Sequence, residues 1–277
     1  MDLPNSVEIS RLILQKLEAS QKMLQEQYEN SKNRIGYFFI DELLPSDLAK
    51  KVAEVFPETG NLYHKTSLKE SKYVSAQMDR YDSLLEEVLF AFQDKSVVNI
   101  ISKITGISNL LPDKNLYAGG LSSMGHLNFL QPHLDNSHDK DRNHYRVLNL
   151  LYYVTPNWQI EFGGNLELWP DGLKGEPIEI HSRFNRLVVM ATHKKSWHSV
   201  SQVTVDRYRN CISNYYFSEK ALDDNTDFHI TTFRGRPGEF LKDKILRVDS
   251  FLRMGIRKVF KKGIVENPHY YKKKDNS

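Results

Sequence analysis

Between Asn115 and Ser218 the chain never sustains a helical period, and this stretch constrains the fold more than any other. Short runs rich in Tyr, Val, Ile and Leu alternate with Gly, Pro and Asn, the pattern of strands separated by turns. Eight strands are expected, near 116–122, 126–131, 145–154, 165–169, 177–180, 187–191, 197–203 and 209–217. No helix fits between them, so parallel pairing through helical crossovers is excluded. A two-sheet antiparallel barrel of jelly-roll type remains.

The flanks read as helices. Asn5 with Glu8 three residues on marks a helix start, and Ile9, Leu12, Ile13, Leu17, Leu24 and Tyr28 follow at helical spacing. Further helices are expected at Asp47 to Phe56, Leu84 to Phe92 and Val97 to Ile104, the last stopped by Gly106. Another begins near Glu239. The expected organisation is one domain in three parts: a helical part over 1–114 packed on the core, the barrel over 115–218, and a basic helical extension over 219–277. The fold class is mainly β (α+β).

The 277 residues are 40% hydrophobic and 26% charged, which excludes wholesale disorder. No apolar run approaches the ~20 residues of a spanning helix. The first ten residues lack a basic stretch followed by an apolar block, so no secretory signal is read and a cytoplasmic location is expected. One cysteine, Cys211, leaves no internal disulfide and no thiolate-rich zinc module. A net charge of +3 is too small to imply nucleic acid, and none is expected as a partner. The charge is unevenly spread: residues 241–277 carry +7 and the rest −4.

The chemistry concentrates in Gln131-Pro132-His133-Leu134-Asp135. Residues two apart on a strand project to one face, so His133 and Asp135 supply half of a mononuclear metal site. His198, in Trp197-His198-Ser199-Val200, is a strand-like third ligand; His193 competes but sits beside Lys194 and Lys195. Two imidazoles and one carboxylate occupy one face of an octahedron and leave three positions open, which suits non-haem Fe(II). His126, His138, His144 and His181 read as surface or packing residues.

The order of the remaining motifs adds specificity. Leu150-Leu151-Tyr152-Tyr153-Val154 is followed by Asn157-Trp158, Gly163-Gly164-Asn165-Leu166, Phe184-Asn185-Arg186-Leu187-Val188, His198-Ser199-Val200, and Arg209 leading into Tyr215-Tyr216-Phe217. This series resembles the 2-oxoglutarate- and Fe(II)-dependent oxygenases, specifically their prolyl 4-hydroxylase-like branch. It covers about residues 115–218; Val154-Thr155 departs from the Leu-Asn often found there. The resemblance implies a double-stranded β-helix (jelly-roll) core and His133, Asp135 and His198 as metal ligands. It implies Fe(II), 2-oxoglutarate and dioxygen as cofactor and cosubstrates, with ascorbate a candidate auxiliary. It also implies an arginine on the last barrel strand that forks onto the distal carboxylate of 2-oxoglutarate. Counting from His198 favours Arg207 for that role, counting from Tyr215-Tyr216-Phe217 favours Arg209, and Arg209 is chosen because it begins the alternating run Cys211, Ser213, Tyr215. Tyr153 matches a tyrosine that hydrogen-bonds the same carboxylate, and Leu166 a leucine against the cosubstrate methylenes. The implied reaction is hydroxylation of an unactivated C–H bond coupled to conversion of 2-oxoglutarate to succinate and carbon dioxide.

Two other classes use the same residues. A zinc metallohydrolase could take the His and Asp ligands with a bound water as nucleophile. A non-catalytic barrel could serve as a binding module. The substrate is expected to be polar, a peptidyl or free amino acid, a sugar or another small metabolite. Leu241, Ile245, Val248, Leu252, Ile256 and Val259 form one helical stripe near the carboxy end. Docking of that stripe on the barrel is the commoner arrangement; the alternative is peripheral contact of 241–274 with an anionic surface such as a membrane. The oligomeric state is not legible.

Overall fold

The computed structural model describes residues 3–117, 119–223, 227–260 and 271. Its elements are α1 (Ser6–Ala19), α2 (Gln21–Ser31), β1 (Tyr37–Ile40), α3 (Ser46–Glu54), β2 (Tyr63–Thr66), β3 (Glu70–Ser75), α4 (Ser83–Ala91), α5 (Lys95–Thr105), β4 (Leu111–Pro112), β5 (Gly120–Met124), β6 (Phe129–Leu134), β7 (Tyr145–Tyr153), β8 (Leu166–Leu168), β9 (Ile178–Ile180), β10 (Arg186–Ala191), β11 (His198–Val200), β12 (Arg209–Ser218), β13 (Thr232–Phe233) and α6 (Phe240–Val259). Among the described residues, no helix is long and apolar enough to cross a membrane.

The central path runs β1-β10-β7-β12-β5-β3-β6-β11-β8-β9, with neighbours antiparallel. Side chains from β5, β6, β7, β8, β11 and β12 line one internal chamber, so the sheet curls into the half-barrel of a double-stranded β-helix. All eight strands read between 116 and 217 are present, with ends shifted by a few residues. The part read as helical over 1–114 needs correction. Among its described residues it holds four strands, β1 to β4, as well as helices, and β3 sits inside the sheet between β5 and β6. Its sequence, Glu70-Ser71-Lys72-Tyr73-Val74-Ser75, has too little apolar alternation to betray a strand; tertiary pairing decides it.

The helices pack behind the sheet. The capping box of Asn5 and Glu8 starts α1, and Gly106, at φ 72°, closes α5. The apolar stripe read from Ile9 to Tyr28 is split at Ser20 between α1 and α2, but both halves face the core. Each of Ile9, Ile13 and Leu17 is fully buried, worth about 1.5–3 kcal/mol apiece.

Helix α6 reverses the commoner expectation. Leu246 and Ser250 are buried, whereas Leu241, Val248 and Leu252 of the stripe are exposed. Charged pairs fix this orientation: Asp243 accepts from Arg234 at 2.5 Å, and Asp249 pairs with Lys69 at 2.8 Å. Arg253 also donates to the Thr231 carbonyl. The polar side of the helix therefore meets the body. Of the stretch 241–274, the Val259 side chain, residues 261–270 and the lysines at 272–274 lie outside the described residues.

Candidate metal centre

Strand β6 carries His133, and β11 sets His198 directly opposite it as its cross-strand partner. Their ring centroids are 4.1 Å apart. Ser199 points the other way, where its hydroxyl donates to Glu167 at 2.6 Å and accepts from Trp169, so period-two alternation leaves His198 facing inward. Asp135 follows just past the end of β6. Its Oδ1 is 3.6 Å from His133 Nε2 and its Oδ2 is 3.6 Å from His198 Nε2.

Both imidazoles are held by their other nitrogen. His133 Nδ1 donates to the Gln131 carbonyl and His198 Nδ1 to the Ser196 carbonyl, each at 2.9 Å. A carbonyl only accepts, so Nδ1 carries the proton and the Nε2 lone pairs are left for a ligand. The Phe233 ring stacks on His133 with 5.2 Å between centroids and covers its other face. Burial, with His198 beside it, pushes His133 down to about 3, so the ring is neutral at physiological pH. Burial alone would raise the Asp135 carboxyl. Arg146, followed by the two histidines and Asn149, outweighs burial and holds it ionised. Two imidazoles with Nε2 turned inward and a carboxylate, their ligand atoms within 4.8 Å of one another, fit a divalent cation.

Arg146 and Asn149 were not singled out in the sequence. Arg146 Nη1 is 3.2 Å from Asp135 Oδ1, and Asn149 Nδ2 donates to Asp135 Oδ2 at 2.6 Å. Their positions differ by three, which alternation puts on opposite faces. Between Leu148 and Arg146 on β7, however, the pairing with β12 slips by one residue, leaving Val147 unmatched. This bulge turns Arg146 to the cavity side.

Arg209, Tyr153 and Leu166 line the same inner chamber of about 120 Å³ as the two histidines and Asp135. Arg209 is 4% exposed, and its guanidinium carbon lies 5.4 Å from the Tyr153 ring centroid. Among the described residues, its Nη2 meets the Met124 sulfur, at 2.7 Å, and its buried Nε has no hydrogen-bond partner. A buried guanidinium with an unused donor beside a metal-type triad is chemically suited to a carboxylate. Gly164 beside it, at φ +66°, takes a backbone conformation that L side chains rarely adopt. Arg207 lies outside, exposed, with its guanidinium on the Pro156 and Asn157 carbonyls. Tyr152 is on the opposite face from Tyr153, its hydroxyl donating to Asn185 in the main core. His193 lies in the turn before β11 and is absent from the chamber wall.

The inner chamber opens into an outer one of about 610 Å³, with Lys72, His133 and Asp135 common to both. Its walls come from β2, β3, β6, β7, β12, residues 228–233 and α6.

Residues 119–217 match the family model described as the 2OG-Fe(II) oxygenase superfamily. The fold is similar to a Trichoplax adhaerens prolyl hydroxylase solved with a hypoxia-inducible-factor peptide, at 19% identity and TM-score 0.53, covering 75% of this chain and 96% of that one. It is also similar to a Pseudomonas putida prolyl-4-hydroxylase, at 18% identity and TM-score 0.54, covering 71% and 99%. HygX from Streptomyces hygroscopicus, solved with nickel, 2-oxoglutarate and hygromycin B, is 11% identical with TM-score 0.50, covering 70% and 86%. Residues 119–217 thus match the 2OG-Fe(II) oxygenase superfamily, and the fold around them is the one shared with these prolyl hydroxylases.

Proposed function

We propose that the chain hydroxylates an unactivated C–H bond of a polar substrate, with His133, Asp135 and His198 holding Fe(II) and Arg209, Tyr153 and Leu166 holding 2-oxoglutarate. The supporting observation is the aim of the two Nε2 lone pairs at one point beside Asp135, with the unused Arg209 donor in the same chamber. When bound, Fe(II) supplies the oxidising chemistry: dioxygen gives one atom to the C–H bond and one to succinate, as 2-oxoglutarate loses carbon dioxide. The chain's own residues do the positioning. Arg209 fixes the distal carboxylate, Leu166 packs on the methylenes, and Tyr153, whose hydroxyl burial keeps protonated, remains a donor. Phe233 and the barrel wall exclude water from one side of His133. No side chain need act as acid or base. A zinc hydrolase would have no use for Arg209 in this place. Anaerobic addition of Fe(II) and then 2-oxoglutarate should produce a visible charge-transfer band; absence of both iron binding and succinate release would sink the reading.

Helix α6 supports a second element of the reading, contact with an anionic membrane surface. Phe240, Leu241 and Phe251 are 79%, 74% and 79% exposed, and Val248 and Leu252 extend the same side. Single exposed apolar residues are ordinary, but a contiguous set on one helix is not. Lys244, Arg247 and Lys258 lie on or beside that face, so apolar burial and charge attraction act together. Vesicles containing phosphatidylserine should pellet the full chain at low salt and release it at moderate salt, and Phe240→Ser with Phe251→Ser should abolish pelleting. A concentration-dependent dimer lost in that same pair of substitutions would assign the face to a second copy instead.

A further inference from the structure

The outer chamber contains a charge arrangement that neither metal nor 2-oxoglutarate binding explains. Lys65 on β2 and Lys72 on β3 are direct cross-strand partners, and both face the cavity. Like charges directly opposite on an antiparallel pair are destabilising. One carboxylate serves both: Glu70 pairs with Lys72 at 2.9 Å, and burial together with Lys72 depresses the Lys65 ammonium against the attraction of Glu70. Among the described residues, Lys65 has no carboxylate within 4 Å. The other side of the rim repeats the imbalance, because Lys69 and Arg253 share the single carboxylate of Asp249, each at 2.8 Å. Across the whole wall six lysines and arginines face three acids, and one of those acids, Asp135, belongs to the metal site.

The geometry points to an oxyanion site at Lys65 and Lys72, which receives a phosphate, sulfate or carboxylate group of the substrate. This rests on the proposed hydroxylation and narrows its substrate to an anionic one. Lys72 lines the inner chamber as well, so an anionic group held by the pair would sit on the path to the metal end. Two ammonium groups with one shared carboxylate are short of one negative partner, and a bound oxyanion completes them with charge-assisted hydrogen bonds. The neighbouring Phe228 and Tyr117 give the uncharged remainder of such a substrate an apolar wall. A polar but neutral substrate would leave the lysine pair without a function and with its repulsion.

The test uses the full chain loaded with Mn(II) and excess 2-oxoglutarate, so that Arg209 is already occupied. Calorimetric titration with sodium sulfate, and separately sodium acetate, is run at matched ionic strength. Saturable sulfate binding is expected, weakened about tenfold or more in Lys65→Gln and in Lys72→Gln, and unchanged in Lys51→Gln on the distant helix α3. Tighter binding of acetate than sulfate would assign the carboxylate class. Melting without added anion gives the second reading: Lys65→Gln should melt no lower than the wild type, because repulsion is relieved. No saturable anion binding by the wild type, equal binding by the lysine variants, or a marked loss of stability in Lys65→Gln would each overturn the site. Failure of Mn(II) or 2-oxoglutarate to load counts against the oxygenase roles alone, and the same titration on the metal-free chain still reads Lys65 and Lys72.

Discussion

The two chambers of the cavity are built by opposite rules. In the inner one every charge has a fixed counterpart or a cofactor to meet: Asp135 has Arg146, Asn149 and two imidazoles, and Arg209 is enclosed with one donor unused. Its walls are paired strands of the sheet, so side-chain direction follows largely from register. In the outer chamber β2, β3, the segment 228–233 and one turn of α6 join residues of β6, β7 and β12, and cations outnumber acids. On the proposed reading, the inner end positions one reaction and the outer end selects what reaches it. Divided in this way, the protein can keep its chemistry and change its substrate, as the peptide and the hygromycin B found with its structural neighbours suggest for the fold at large.

The comparison breaks most visibly if inner residues prove dispensable. Asp135→Ala should remove tight metal binding and drop turnover more than about a hundredfold, beyond what loss of an outer-sphere partner costs. Iron content after anaerobic loading and gel filtration measures it. Arg209→Ala follows. A buried carboxylate losing its charged partner costs roughly 3–5 kcal/mol, so the 2-oxoglutarate requirement should rise by two orders of magnitude or more. Arg207→Ala, on the outer surface, should change it little. The reverse result would reassign the cosubstrate arginine.

Arg146 sharpens the boundary between the chambers, because it lines the outer one and yet restrains an inner carboxylate. Arg146→Met keeps much of the packing over Tyr215, where the guanidinium carbon now sits 3.7 Å from the ring centroid. It should weaken metal affinity by about 10–100-fold while leaving the 2-oxoglutarate requirement of the fully loaded enzyme near normal. A metal titration with a fluorescent competitor separates the two effects. Equal loss of both would mean that Arg146 supports the fold of β7 and not the carboxylate.

Legibility divided along the same line. His133, Asp135, His198 and Arg209 could be singled out because the order of motifs along the barrel resembles a known family, with strand alternation deciding for Arg209 over Arg207, and the structure brings all four to one chamber. Arg146 could not, because the bulge at Val147 changes parity without leaving a Gly or Pro as a signal. Strand β3 was unreadable for another reason. Its residues alternate between a charged cavity and a partly solvated back, so the hydrophobic signature of a strand is missing where the substrate end is built. The same holds for α6, whose apolar stripe was legible but whose facing was decided by Arg234 and Lys69, distant cations that no local pattern reveals. Sequence periodicity reports burial; it is silent where function replaces apolar contacts with charge.

The smallest expected effect isolates the outer chamber through pH. Burial alone would raise the Glu70 carboxyl, but Lys72 and Lys65 outweigh it and hold Glu70 below the ordinary glutamate value of 4.5. A carboxyl whose folded value is depressed contributes stability above its unfolded value, and loses it as pH falls through the folded one. The wild type should therefore lose a little stability below about pH 4.5, of order 1 kcal/mol given partial solvent access at 20% side-chain exposure. Glu70→Gln removes that increment, so the difference between the two proteins in urea midpoint should narrow as pH falls from 6 to 4. Asp135 also titrates low, but it is present in both proteins and cancels in the difference. At neutral pH Glu70→Gln leaves Lys65 and Lys72 facing each other without their shared acid, so added sulfate should stabilise this variant more than the wild type. A constant difference from pH 6 to 4, with no extra response to sulfate, would mean that the lysine pair is screened by solvent and that the outer chamber carries no organised charge.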